Sequence, residues 1–163
     1  MKKTMTVIAL FAVLLITVSA HSGRVYDAAE GFKAPAFTLS KSDSTVSLAD
    51  LKGRYVLLTF WASSDAESRV NAGNYNSFAN KAAGEQFCLV SVNMDRNENL
   101  FNEIVRRDNL NAKTQFHVQG DEASTLKEEY HLKNGFNSYL IDPTGKVIAT
   151  NPSELTLTQV LRN

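Results

Sequence analysis

The sequence predicts an α/β domain, with a mixed β-sheet at its centre and helices on both faces of that sheet. Three observations carry this expectation. Residues 55–61 (YVLLTFW) and 87–92 (FCLVSV) are short runs of apolar, β-branched and aromatic residues, the pattern of strands buried on both faces. Helical periodicity follows each run, and strand–helix–strand crossovers imply parallel pairing. Asp142-Pro143-Thr144-Gly145 then separates two further apolar segments by a tight turn of the kind that joins antiparallel strands.

The chain opens with features of an export signal. Lys2 and Lys3 precede an apolar stretch of ten residues, 7–16, and Val18-Ser19-Ala20 supplies small residues for cleavage before His21. That stretch is short for crossing about 30 Å of hydrocarbon, although an uncleaved anchor is the alternative. No cysteine follows it, so a lipid-modified N-terminus has no thiol to carry the lipid. The expected organisation is a signal over residues 1–20, a lead-in over 21–30 and one domain over 31–163. The mature chain is expected in the periplasm or otherwise exported, with no stable membrane insertion after cleavage.

Length and composition agree. A chain of 163 residues holds one domain with a sizeable core. Its 44% hydrophobic and 21% charged residues set aside disordered and fibrous classes. Seventeen basic residues balance seventeen acidic ones. With no basic block or aromatic-basic interleaving, nucleic acid is not an expected partner. There is no internal repeat.

The elements follow in order. Phe37 and Leu39 suggest a short strand before a polar turn through Ser42, Asp43 and Ser44. Residues 48–51 suit a single helical turn ending at Gly53. After the strand at 55–61, Ser64 with Glu67 three residues on fits a capping box, which makes Ser64 the expected N-cap. Val70, Tyr75, Phe78 and Ala82 lie at helical spacing, with Gly84 as the stop, while Gly73 and Asn74 weaken the middle. After the strand at 87–92, residues 97–108 form a helix with Leu100, Phe101, Ile104 and Val105 on one face. Residues 124–130 form another helix. Residues 139–141 and 146–149 flank the tight turn, and residues 155–161 close the chain as a helix.

Several stretches resemble, in order, the thioredoxin superfamily, and within it the exported TlpA-like and redoxin (AhpC/TSA-type) branch. Residues 31–39 (GFKAPAFTL) are similar to that branch's opening G-x-x-A-P-x-F-x-L. Residues 46–53 (VSLADLKG) resemble the link that follows, and residues 55–63 resemble its strand running into F-W-A-S. Residues 130–133 (YHLK) and 140–146 (LIDPTGK) resemble its later Y-x-V and L-I-D-x-x-G-K segments. The similarity covers about residues 31–161. It implies a thioredoxin-like three-layer sandwich and, in most of the family, thiol-disulfide oxidoreductase or peroxidase activity.

The departures bear on chemistry. Where the resemblance implies Trp-Cys-x-x-Cys, the chain reads Ser64-Asp65-Ala66-Glu67-Ser68, so Asp65 stands at the nucleophilic position and Ser68 at the resolving one. Counting back from Asp142 puts Asn134, Gly135 and Phe136 where the family carries a cis-proline, so Phe136 replaces it. A non-proline cis bond costs about 3–4 kcal/mol, so the Gly135–Phe136 peptide is expected to be trans.

Disulfide exchange needs one thiolate to attack sulfur and a second thiol to release the mixed disulfide. Asp65 forms no stable bond to sulfur, and the Ser68 hydroxyl is far too weak an acid. At a helix N-terminus, Asp65 and Glu67 each contribute about 0.3–1 kcal/mol as capping or dipole-facing charges. The alternative use of these acids is a new site with His117 or His131, as metal ligands or acid–base groups, although the spacing matches no known metal motif.

The one cysteine, Cys88, lies within a buried strand, where a lone cysteine is usually a small hydrophobe. Reactivity would require exposure and positive neighbours. The first functional expectation is therefore a redox-inert binding or scaffolding module in the cell envelope, with no cofactor and no metal. Its surface would use Trp61, Asp65, Glu67 and Phe136, and its partner would be an envelope protein or an extended peptide. For Trp61, core packing and surface exposure both remain open. The alternative is a thiol oxidoreductase or peroxidase working through Cys88 alone.

Overall fold

The two apolar runs pair with each other. In the computed structural model, which describes residues 26–41, 44–82, 84 and 86–162, β3 (Tyr55–Trp61) and β4 (Phe87–Asn93) lie parallel at the centre of a five-stranded sheet. The expected export signal, residues 1–20, lies outside the described residues.

Ahead of β3 come β1 (Thr38–Lys41), β2 (Ser44–Ser47) and a 3₁₀ turn, Leu48–Leu51. After it come α1 (Ala66–Lys81), β4, α2 (Glu98–Arg107), β5 (Gln115–His117) and α3 (Gly120–Glu129). The chain ends with β6 (Ser138–Ile141), β7 (Val147–Thr150) and α4 (Glu154–Arg162). The sheet order is β5-β4-β3-β6-β7, with β6 and β7 antiparallel to their inner neighbours and β1–β2 forming a separate hairpin. A mixed sheet is thus the observed architecture, as expected.

Alternation along β3 divides the core into two layers. Val56, Leu58 and Phe60 face the side covered by the hairpin residue Leu39, Leu51 of the 3₁₀ turn, and Ala123 and Leu126 of α3. Leu57 faces Tyr75 and Phe78 of α1 and Leu157 of α4, while Trp61 faces Ala72 of α1 and Phe101, Ile104 and Val105 of α2. Hydroxyls tie the first layer together: Tyr130 donates to Pro35 O at 2.6 Å, and Tyr139 donates to Tyr130 O at 2.6 Å. Burial pushes the Tyr130 phenol far above its ordinary pKa.

Several local expectations shift. The N-cap of α1 is Asp65, not Ser64, and the helix closes on Ala82 rather than reaching Gly84. Both Ser and Asp are good caps, and the choice falls to the residue whose side chain reaches the N3 amide. A full capping box does occur one element earlier, where Ser47 and Asp50 bond each other's backbone N–H groups at the start of the 3₁₀ turn. Val70, expected on the apolar face of α1, is 61% exposed. Helix α3 begins four residues before the predicted 124.

Strands β2 and β5 were not expected. Each is short and polar, and each exists by pairing with a neighbour rather than by an apolar run of its own. The predicted hairpin is present, with Gly145 at φ 85 donating its N–H to Asp142 O at 2.8 Å. A left-handed position of this kind favours glycine.

The described part of the lead-in is docked on the domain. Gly31 N donates to Val147 O (2.9 Å), Val147 N to Phe32 O (2.9 Å) and Thr150 N to Glu30 Oε1 (2.9 Å), so residues 30–33 lie along β7. Ala28 is buried, and Asp27 pairs with His131 at 2.7 Å.

Candidate functional site

The loop between β3 and α1 starts where the parallel strands end, a position the fold fills with function because strand ends and helix N-termini converge there. Ala62 is buried, Ser64 is exposed, and Asp65 caps the helix. The Asp65 carboxylate accepts the Ser68 N–H at 2.8 Å, and this bond holds its pKa below the ordinary carboxylate value. Ser68 is 4% exposed. Its hydroxyl donates to Asp65 O (3.2 Å) and accepts from Ala62 N (3.3 Å), so it is committed on both sides. Glu67 is exposed in the first turn of α1.

Beneath the loop lies a buried carboxylate that the sequence reading passed over. Asp95 accepts the Ser63 N–H on both oxygens, at 3.0 and 3.2 Å, and a third bond from Asn93 Nδ2 at 2.9 Å. Its own N–H returns to Asn93 Oδ1 at 3.0 Å, and its carbonyl meets His117 Nε2 at 2.8 Å. His117 also stacks on Phe101, with centroids 5.3 Å apart. A chain of polar contacts thus fixes the loop to the ends of β4 and β5. The available signal was an acid directly after a buried strand, in VNMD.

The residues expected to share a surface are only partly brought together. Trp61 is 0% exposed, packed on Ala72, Ile104 and Leu110 with its ring 6.2 Å from Phe101. It is a core residue and is withdrawn from any partner surface. The cause is tertiary: as the last residue of β3 it faces the α1–α2 side, and α2 roofs it over.

Phe136 is half-buried against the other core layer. The Gly135–Phe136 peptide is trans, with Gly135 at φ 137. The neighbouring Asn137 carbonyl accepts Phe60 N at 3.2 Å, and Asn137 Oδ1 accepts from Asn151 Nδ2 at 3.0 Å, so the loop is secured at the edge of β3.

Neither histidine joins Asp65 and Glu67. His117 is engaged with Asp95, and His131 pairs with Asp27. Among the described residues, no group of three or more His, Cys, Asp or Glu side chains is arranged to hold a metal ion.

Cys88 lies at the opposite end of the sheet from this loop. It pairs with Val56 near the start of β3, whereas Trp61 pairs with Asn93 five residues further along. At roughly 3.3 Å per residue, about 17 Å of strand separates the two rows. The thiol is half-buried against the core, and burial raises its pKa while the charge of Arg54 opposes the shift.

Comparison with known proteins follows the same outline. The AhpC/TSA family matches residues 31–150. The thiol-disulfide oxidoreductase ResA of Oceanobacillus iheyensis is 28% identical over 138 residues, covering 82% of this chain and 68% of the relative. The protein of the same name from Bacillus subtilis is 27% identical, covering 91% and 86%. The crystal structure of a thioredoxin-like protein from Parabacteroides distasonis is 34% identical and superposes with a TM-score of 0.74, over 85% of this chain and 98% of that one. Among the described residues, no helix is long and apolar enough to cross a membrane. The chain belongs to the AhpC/TSA family of the thioredoxin superfamily.

Proposed function

We propose that this protein is an exported, redox-inert member of its family that acts as a binding or scaffolding module, with an envelope protein or an extended peptide as its partner. The observation that carries the reading is the use to which position 65 is put. Its carboxylate is spent on the Ser68 amide as the N-cap of α1, and the Ser68 hydroxyl is enclosed between Asp65 and Ala62. Two-step thiol exchange at this place has neither an attacking nor a releasing group. Cys88, about 17 Å away along the strands and held protonated by burial, does not supply one.

The surface on which a partner would rest is the N-terminal end of α1, with exposed Ser64 and Glu67 and half-buried Asp65, together with the exposed part of Phe136. Val70, one turn beyond Glu67, adds exposed apolar area on the same helix. Export rests on the N-terminal sequence pattern.

Two measurements test the reading. Purified protein mixed with a model disulfide should show no single-turnover reduction, and measurable reduction by the wild-type protein ends the proposal. Capture from the organism's own envelope fraction should yield a partner that is lost in the Asp65→Arg, Phe136→Ala double variant. Equal recovery with both proteins would place the binding surface elsewhere.

A further inference from the structure

Two neighbouring cavities lie on the α3 side of the sheet, away from the layer that packs on α1. The first, of about 510 Å³, is walled by Tyr26, Asp27 and Ala36 and by Glu128 and Glu129 of α3. The second, of about 280 Å³, is walled by Lys33, Leu48 and Lys52 and again by Tyr26 and Ala36. The shared walls make them two halves of one groove, with Tyr26 and Ala36 at its middle. Tyr26 is 61% exposed there.

The halves carry opposite charge. In the first, Asp27 is paired with His131, while the exposed Glu128 and Glu129 enter no ion pair among the described residues. In the second, the Lys33 ammonium bonds the neutral carbonyl of Thr144, and exposed Lys52 enters no ion pair among the described residues. A small ion of either sign meets its own charge in one half. The complementary occupant carries both signs, set apart.

The floor of the groove offers backbone as well as charge. On either side of Ala36 the chain is tied down: Ala34 N donates to Gly145 O (2.9 Å), Pro35 O accepts the Tyr130 hydroxyl (2.6 Å) and Phe37 O accepts Leu48 N (3.2 Å). Ala36 is exposed, and neither its N–H nor its C=O makes a hydrogen bond among the described residues. One residue offering both groups is what an opposed extended chain bonds as a pair.

We propose that this groove docks an extended, mixed-charge peptide segment of another protein. The segment bonds the Ala36 backbone at the middle, sets a Lys or Arg against Glu128 and Glu129, and sets an Asp or Glu against Lys33 and Lys52. The groove is separate from the start of α1, so the inference goes beyond the function proposed there and stands without it.

The probes are two end-blocked, labelled pentapeptides, Arg-Val-Thr-Val-Glu and its reverse, since either chain direction can pair with Ala36. One of them should shift the Ala36 amide resonance of the ¹⁵N-labelled protein and bind with a Kd below about 1 mM. Glu128→Lys and Lys52→Glu should each weaken that binding about threefold to tenfold, the range for reversing one exposed charge. All three residues are exposed, and lysine suits the last turn of α3, so these variants should fold. Glu-Val-Thr-Val-Glu should bind the Glu128→Lys, Glu129→Lys variant more tightly than wild type. The Asp65→Arg, Phe136→Ala variant should bind the probes as wild type does, and loss of binding there would move the site to α1 and overturn the proposal. It is also overturned if neither probe shifts Ala36, or if the charge reversals leave affinity unchanged. Shifts at Ala36 on concentrating the protein alone would assign the groove to a second copy of this chain, with the same consequence.

Discussion

Asp65→Ala is the substitution that most directly asks what position 65 is for. The wild-type carboxylate contributes the hydrogen bond to Ser68 N at 2.8 Å and a negative charge at the positive end of α1. Loss of an Asp cap costs about 1 kcal/mol, within a range of roughly 0.5–2, and the charge–dipole part is about 0.3–1 kcal/mol. The two overlap because one group supplies both, so the expected loss is about 1–1.5 kcal/mol, a shift of roughly 3–5 °C in Tm. Asp65→Asn keeps the acceptor and loses only the charge, so it should cost about 0.5 kcal/mol or less.

The sign of the pH dependence follows from the lowered pKa of Asp65. A group ionised more readily in the folded state stabilises fully above its unfolded pKa of about 3.9. That contribution fades as pH falls through the folded value, so wild type and Asp65→Ala converge in acid. Urea titrations read by Trp61 fluorescence, at neutral pH and near pH 3, supply the numbers. An Asp65→Ala variant within 0.3 kcal/mol of wild type at neutral pH refutes the capping role, as does an Asn variant as damaged as the Ala one.

Arg69 holds Asp108 through two bonds of 2.7 Å, clipping α1 to the end of α2, and Asp108 is thereby kept below the ordinary carboxylate pKa. Asp108→Asn should cost about 1 kcal/mol at neutral pH, with the difference disappearing as acid protonates the wild-type carboxylate. Native Cys88 should react with a thiol reagent far more slowly than in the denatured chain, where one thiol per molecule titrates; equal rates would show that burial does not protect it. The Asp65→Cys, Ser68→Cys variant places two thiols at a helix N-cap and N3, where each side chain already bonds the other residue's backbone, and should form an intramolecular disulfide detectable by mass. Failure to oxidise would show that the scaffold no longer accommodates the pair.

What the sequence made legible was whatever is encoded by continuous burial. YVLLTFW and FCLVSV could be read as central strands because both faces of each are covered, so every residue is apolar or small. The Asp142–Gly145 turn was legible because its dihedral requirements are local. Elements held by partners were not: Gln115-Phe116-His117 becomes a strand only because β4 lies beside it.

The cap of α1 was misplaced by one residue for a similar reason. Ser64 and Asp65 are equivalent by propensity, and what selects Asp65 is Ser68, which turns inward to meet Ala62 N. Trp61 was ambiguous because an aromatic at a strand end is exposed or buried according to what crosses above it. Phe101 and Ile104, forty residues away, make that choice. Asp95 was missed because its role depends on Ser63 and His117, which only the fold brings near.

The coverage of both outer strands limits how the molecule associates. Residues 30–33 occupy the margin of β7, and on the far side the Lys41 ammonium bonds the carbonyls of Ala112 and Gln115 beside β5. Lateral recruitment of another chain by backbone pairing, the route to runaway polymerisation in many sheet proteins, therefore meets a guard on each flank.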